Sequence, residues 1–353
     1  MHEDRGPSTR GRHGRLSRAA IALGLVLVAC AAVLLWQHRT AAPMYRYVLG
    51  QAVPESDLGA LTAFSQRKLT VRRASVVEAE GDQALADLMI AESASGPVLL
   101  NWQARVDDPF ITLAVSPQDV ASLAEVLERH VPKDARLFAW WDVSRQFRLL
   151  SSVNVQFAEH LGLPLFVPAH WGSQRAGVQA IENAFWNGGN AQAADAPQRF
   201  QRFADALLMP EAEGMAALQA LAEGRTAVLV LHLRDLILLG QMAPDKLGVA
   251  FQDFGAMADV HGMVRRVHAW LDQHKYPAYG ILQAKGQPVR AVALTDAASG
   301  QTLAARLLPL MGNDQKDVPG ATLVYQVGGF SVFEIAPAPV TAAAAPSQGG
   351  SQP

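Results

Sequence analysis

Apolar positions recur along this chain in three spacings, and each predicts a different kind of element. One run is unbroken: Ala19 to Trp36 (AAIALGLVLVACAAVLLW) has 18 residues and no charge. As a helix at ~1.5 Å per residue it reaches about 27 Å, enough to cross a bilayer's hydrocarbon core. Helical spacing appears at 120, 123, 124, 127 and 131. It follows Ser116-Pro117-Gln118-Asp119, where serine is suited to the N-cap, proline to the first turn and a carboxylate to the positive dipole end. Residues 76–94 have helix-favouring composition around Val77, Leu85, Leu88 and Met89 and predict another helix. Short apolar runs at 97–102, 136–141 and 164–167 predict strands, and Thr226 to Leu233 (TAVLVLHL) predicts a fully buried one. Helices are predicted over 173–186, stopped by Asn187-Gly188-Gly189, and twice within 198–223.

The last third changes character. Residues 259–274 place Val260, Met263, Val264, Val267 and Leu271 on one helical stripe. Segments 278–285 and 289–294 flank Gly286-Gln287-Pro288, and 322–327 and 330–335 flank Gly328-Gly329, so both read as hairpins. A short helix over 302–310 lies between them. The expected architecture is α/β, a mixed sheet with flanking helices over 40–244, plus a smaller C-terminal α+β lobe over 245–336. Residues 40–75 read as a stalk merging into a first strand, and 337–353 (Pro, Ala, Gly and Ser without charge or aromatics) as a disordered tail.

Charge orients the apolar run. Arg5, Arg10, Arg12, Arg15 and Arg18 precede it against only Glu3 and Asp4, which places residues 1–18 in the cytoplasm and the body in the periplasm. An uncleaved single-pass helix in the cytoplasmic (inner) membrane is the expectation. A lipoprotein signal, in which Leu27-Val28-Ala29-Cys30 acts as a lipobox, and cleavage near Ala41-Ala42 stay open as alternatives. From residue 40 onward 24 basic side chains stand against 30 acidic ones, so no basic field points to nucleic acid. Cys30 is the single cysteine. It leaves no internal disulfide, no Cys-rich zinc site, no cysteine-held iron–sulfur cluster and no covalent haem attachment.

Catalytic signatures are missing: no phosphate-binding glycine loop, no Gly-x-Ser-x-Gly elbow and no His-Glu-x-x-His occurs. His261 and His268, about 10.5 Å apart along one helix, are too distant to share an ion and read as a solvated flank. His160 and His170 bracket Leu161-Gly162-Leu163-Pro164, and a joint role would need a fold that spacing does not supply. His232, inside an apolar strand, reads as a hydrogen-bonded core residue. No cofactor or metal is expected. The most distinctive stretch is FAWWDVSRQFRLL (138–150). Trp140 and Trp141 are expected to end a central strand, one facing the core and one a surface. Asp142 would sit at the strand's C-terminal end or cap a following helix over 143–150, with Arg145 and Arg148 three apart on that helix. These five residues form a candidate interaction surface for a protein partner or an anionic small molecule. The plainer reading is a Trp-rich core edge with solvated arginines.

The segment AWWDVSRQFRLLSS (139–152), with HLGLPLFVPAHW (160–171), AFW (184–186), LTDAASGQTLAARLLP (294–309) and LVYQVGGFSVFEI (323–335), resembles the HaoB family of hydroxylamine oxidation proteins from nitrifying and methane-oxidising bacteria. The resemblance implies a membrane-anchored, non-catalytic accessory protein that docks, matures or assembles a multihaem hydroxylamine oxidoreductase or another periplasmic redox protein. It supplies no catalytic residues. Trp140-Trp141-Asp142 also resembles the Trp-Trp-Asp motif of membrane oligosaccharyltransferase catalytic subunits. Those continue Tyr-Gly where this chain has Val143-Ser144, and carry many membrane helices where this chain has one such run. Two other readings stand beside the accessory one: a periplasmic transferase or hydrolase with a site near Asp142, and a structural envelope protein.

Overall fold

The computed structural model describes residues 27–28, 45–105, 115–159, 175–187, 195–255, 260–283, 288–313 and 317–337. The expected anchor over 19–36 lies outside them except for Leu27 and Val28, which are helical and exposed. Among the described residues no helix is long and apolar enough to cross a membrane. The expected strand over 164–167, His160, His170 and the tail beyond residue 337 also lie outside them.

The described residues are mixed α/β, with three sheets. The first is an antiparallel meander of β1 (Tyr45–Ala52), β2 (Val71–Glu78), β3 (Ala84–Ala91) and β4 (Val98–Ala104). A short helix, α1 (Thr62–Ser65), links its first two strands. The stalk expected over 40–75 is thus largely sheet from Tyr45 onward. Residues 84–91 are a strand, against the helix expected over 76–94. They pair with β2 on one side and β4 on the other, and Ala86, Leu88 and Ile90 alternate into the core. Sheet pairing overrides the helix propensity of Ala, Leu and Met, and the Glu80-Gly81-Asp82 turn starts the return strand.

The second sheet has the order β10 (Ala321–Val327), β11 (Phe330–Ile335), β6 (Ala227–His232), β5 (Arg136–Phe138). Its β5–β6 pair is parallel and its others antiparallel, so the sheet is mixed. Strand β6 is buried at every position. Ala227, Leu229 and Leu231 join one apolar core, while Val228 and Val230 join another on the opposite face. That double burial is why TAVLVLHL has no polar alternation. The C-terminal hairpin turns through Gly328 (φ 54°) and Gly329 (φ 87°), the double positive-φ pair that matches strand twist. Its strand β11 is hydrogen-bonded to β6 along its whole length, so pairing ties residues 330–335 to the expected first domain.

The third sheet, β7 (Val249–Asp253), β9 (Arg290–Leu294) and β8 (Ala278–Leu282), is antiparallel. It carries α8 (Val260–His274) through Val267 and Leu271. Val260 and Val264, placed by pattern on the buried stripe, are exposed, because this helix covers a small sheet from one side only. His261 and His268 are exposed on the same helix.

The remaining helices fill the space between the sheets. Helix α2 (Pro117–His130) is capped as its sequence predicts, with the Ser116 side chain accepting from the Asp119 N–H at 3.3 Å. It buries Val120, Leu123, Ala124 and Leu127 against α3 (Trp141–Leu150). Helices α4 (Arg175–Trp186), α5 (Ala196–Leu208), α6 (Glu211–Ala222) and α7 (Asp235–Met242) follow, and α9 (Leu303–Leu307) packs on α5 and α6.

Candidate functional site

Two strand-to-helix junctions lie side by side. Because β5 and β6 are parallel, with Phe138 opposite Leu229, their C-terminal ends face the same way and each runs directly into a helix. Asp142 is the second residue of α3, Asp235 the first of α7, and Arg234 stands just before it. Carboxylates in a first helical turn suit the positive end of the helix dipole. All three side chains are 2% exposed or less.

The geometry is a buried ion cluster. Arg234 Nη2 donates to Asp142 Oδ1 at 2.6 Å and Oδ2 at 2.7 Å, and Arg234 Nε stands 3.5 Å from Asp235 Oδ1. The other oxygen of Asp235 accepts the His232 N–H at 2.8 Å. His232 Nδ1 accepts the Arg234 N–H at 3.2 Å, which leaves Nε2 to donate to Gly328 O at 3.1 Å. This is the neutral imidazole tautomer. Burial, with Arg234 beside it, lowers the His232 pKa from 6.5 to about 3. Burial raises that of Asp235 from 3.8 to about 7, against the opposing pull of Arg234. The cluster ties β6 to α3 and, through Gly328, to the C-terminal hairpin. His232 is the hydrogen-bonded core residue its strand position predicts.

The segment 140–148 differs from its sequence reading in several respects. Strand β5 ends at Phe138, two residues before the first tryptophan, so Trp140 and Trp141 do not alternate across a strand end. Trp140 occupies the N-cap position of α3 and Trp141 its first residue; they are 1% and 2% exposed. Trp140 packs edge-on against Phe200, with ring centres 5.1 Å apart. Asp142 is held by Arg234 and caps nothing with its side chain. Arg145 is buried as well. Of the five candidate surface residues, Arg148 alone is exposed. The segment is therefore core with one solvated cation at its end.

Arg145 is a buried cation among carbonyls. Its Nη2 donates to Pro97 O at 2.9 Å, Trp186 O at 3.2 Å and Ser95 O at 3.3 Å, and Nη1 to Ala158 O at 3.4 Å. Trp186 is the last residue of α4, so Arg145 caps a carbonyl that the helix itself leaves unpaired. Gly96, at φ 97°, lies so close to Trp186 O that a Cβ there would strike it. Burial foremost, then repulsion from Arg148, lowers the Arg145 pKa from 12.5 to about 10. Beside it a groove of about 360 Å³ is lined by Ser93, Ser95, Val98, Arg145, Arg148 and Leu149, among others.

A second polar node lies where α4 meets the first sheet. Tyr45 and Tyr47 both donate to Glu182 Oε1, at 2.5 and 2.7 Å, and Trp186 Nε1 donates to Tyr47 Oη at 3.1 Å. Burial, followed by the Glu182 charge, raises both tyrosine pKa values well above 10.0. Sequence reading missed this node and the Arg234-Asp235 pair. For the latter a signal exists: two opposite charges between the apolar runs AVLVLHL and LILL must be buried and paired. Among the described residues no group of three His, Cys, Asp or Glu side chains is placed to hold a metal ion.

A family model described as HaoA-associated protein HaoB matches residues 15–335. No curated protein matches the chain. Among solved structures, the C-terminal domain of PglB from C. jejuni is 13% identical over 61% of this chain and 99% of that chain, with a TM-score of 0.31. At that score it carries no argument.

Proposed function

This chain belongs to the family of HaoA-associated proteins HaoB, and from that premise we propose that it is a non-catalytic accessory protein of hydroxylamine oxidation, held at the cytoplasmic membrane with its body in the periplasm. There it docks, matures or assembles the multihaem hydroxylamine oxidoreductase. The family match over residues 15–335, which takes in the apolar run, is the observation that carries this reading. The arginine excess before that run supports the orientation. The engagement of both Asp142 oxygens by Arg234 supports a structural role for the Trp-Trp-Asp segment.

The test is capture of the detergent-solubilised chain from native membranes, followed by haem staining and mass spectrometry of what accompanies it. A haem-staining hydroxylamine oxidoreductase at near-stoichiometric yield is expected. Capture with no haem protein in membranes that contain the enzyme would overturn the proposal. A periplasm-dependent reporter fused after residue 60 should be active. A mature chain beginning at acylated Cys30 would replace the spanning helix by a lipid anchor.

A further inference from the structure

The groove between the β3–β4 loop and α3 holds an uncompensated charge. Arg145, 3% exposed, has four carbonyl partners and, among the described residues, no carboxylate within ion-pair distance, and its Nε–H is buried without a hydrogen bond. Arg148, one turn along the same helix, lines the groove mouth and is exposed, likewise without a carboxylate at ion-pair distance among the described residues. Glu159 is the acidic group that acts on Arg145, less strongly than Arg148 repels it. Among the described residues, two cations against one anion leave the groove one positive charge in excess. A buried cation without a counter-ion is costly, and proteins supply the missing charge from a side chain or a ligand. The walls supply the rest of the specificity: Val98, Leu149, Ala94 and Ala158 are apolar, and the polar side chains beside the arginines are Ser93 and Ser95. A volume of about 360 Å³ lies within the range of small-molecule sites.

We propose that this groove binds a small organic monocarboxylate. Its carboxylate meets Arg148 at the mouth and the field of Arg145 beneath, and its apolar body lies against Val98, Leu149 and Ala158. One excess charge selects a monoanion over a dianion, and the apolar walls select an organic acid over an inorganic ion. The inference does not rest on the docking role proposed above.

The test uses the full detergent-solubilised chain and hexanoate as the probe, at constant ionic strength. Calorimetric titration should give saturable binding of one hexanoate per chain. Loss of a charge-assisted hydrogen bond makes the neutral hexanamide weaker by about tenfold or more, and the same loss is expected for hexanoate on Arg148→Gln. Arg148→Lys, which keeps the charge, should retain most of the affinity. Because Arg148 is exposed, these variants should melt with the parent, so weaker binding reports the site and not misfolding. Non-saturable hexanoate uptake up to ~50 mM, equal binding to Arg148→Gln, or tighter binding of inorganic phosphate than of hexanoate would each overturn the proposal.

Discussion

Asp142→Ala tests whether the buried ion cluster is a structural keystone. The Asp142–Arg234 pair is 2% exposed or less on both sides and closed by two hydrogen bonds of 2.6 and 2.7 Å. Removing the carboxylate takes a bidentate partner from a charged interior Arg234, whose Nε stands 3.5 Å from Asp235 Oδ1. Breaking such a pair costs about 3–5 kcal/mol. The lower end is expected, because losing Asp142 removes a like charge that raises the Asp235 pKa, so Asp235 ionises more readily beside Arg234. At a urea slope of about 3 kcal/mol per molar, a loss of ~3 kcal/mol moves the unfolding midpoint down by about 1 M. Breaking the Arg306–Glu211 pair, whose glutamate is 28% exposed, should cost no more than about 1 kcal/mol. The decisive comparison is the double variant Asp142→Ala/Arg234→Met. It removes the stranded charge and fills the space of the arginine stem, so it should be more stable than Asp142→Ala alone. Urea unfolding followed by tryptophan fluorescence measures the parent, Asp142→Ala, Arg234→Met and the double variant. If the double variant loses the sum of the two single losses, the two residues do not act as a pair and the reasoning fails.

Further outcomes follow from the same geometry. His232, with its pKa near 3 instead of 6.5, makes the unfolded state the better proton binder in that window, so it adds stability as pH rises. Asp235, near 7 instead of 3.8, acts in the opposite sense: its contribution is full below about 3.8 and lost as pH rises to 7. The two slopes oppose between about 4 and 6.5. Asp235→Asn should therefore unmask a rise of up to about 1.4 kcal/mol per pH unit, read from urea midpoints at pH 4, 5 and 6; a flat profile contradicts it. Gly96→Ala, at φ 97° and against the Trp186 carbonyl, should cost about 3 kcal/mol or more, whereas Gly224→Ala, at φ 75° with open space around it, should cost about 1. Equal losses in thermal unfolding would refute the claimed close approach. Arg145→Ala strands the carbonyls it caps and should lose about 1–3 kcal/mol, while Arg148→Ala should stay within about 0.5. Matching melting temperatures for the two would contradict their different burial.

Local rules made much of the fold legible. The Ser116 cap, the Gly328-Gly329 turn and the unbroken apolarity of β6 each act over a few residues, and each lies where its chemistry predicts. What failed depended on partners far away in sequence. Residues 84–91 favour a helix until β2 and β4 pair with them on both sides. Trp140-Trp141 looked like a strand end because nothing local shows that β5 stops at Phe138 and that α3 begins two residues earlier than expected. The candidate site was half legible for the same reason. Asp142 and Arg145 stood out by their neighbours, but their partners are Arg234, 92 positions on, and carbonyls 13 to 50 positions away.

The placing of β11 between β10 and β6 also sets a timetable for assembly. A chain emerging N-terminus first displays β6 with one bare hydrogen-bonding edge from residue 232 until residue 330 arrives to cover it. At roughly 5–20 residues per second that interval lasts about 5–20 s. Throughout it, a strand apolar from Ala227 to Leu231 is a template for pairing with other chains. Completion of the sheet is thus deferred until β11 has been made, and a chain cut before Phe330 keeps a permanently adhesive edge.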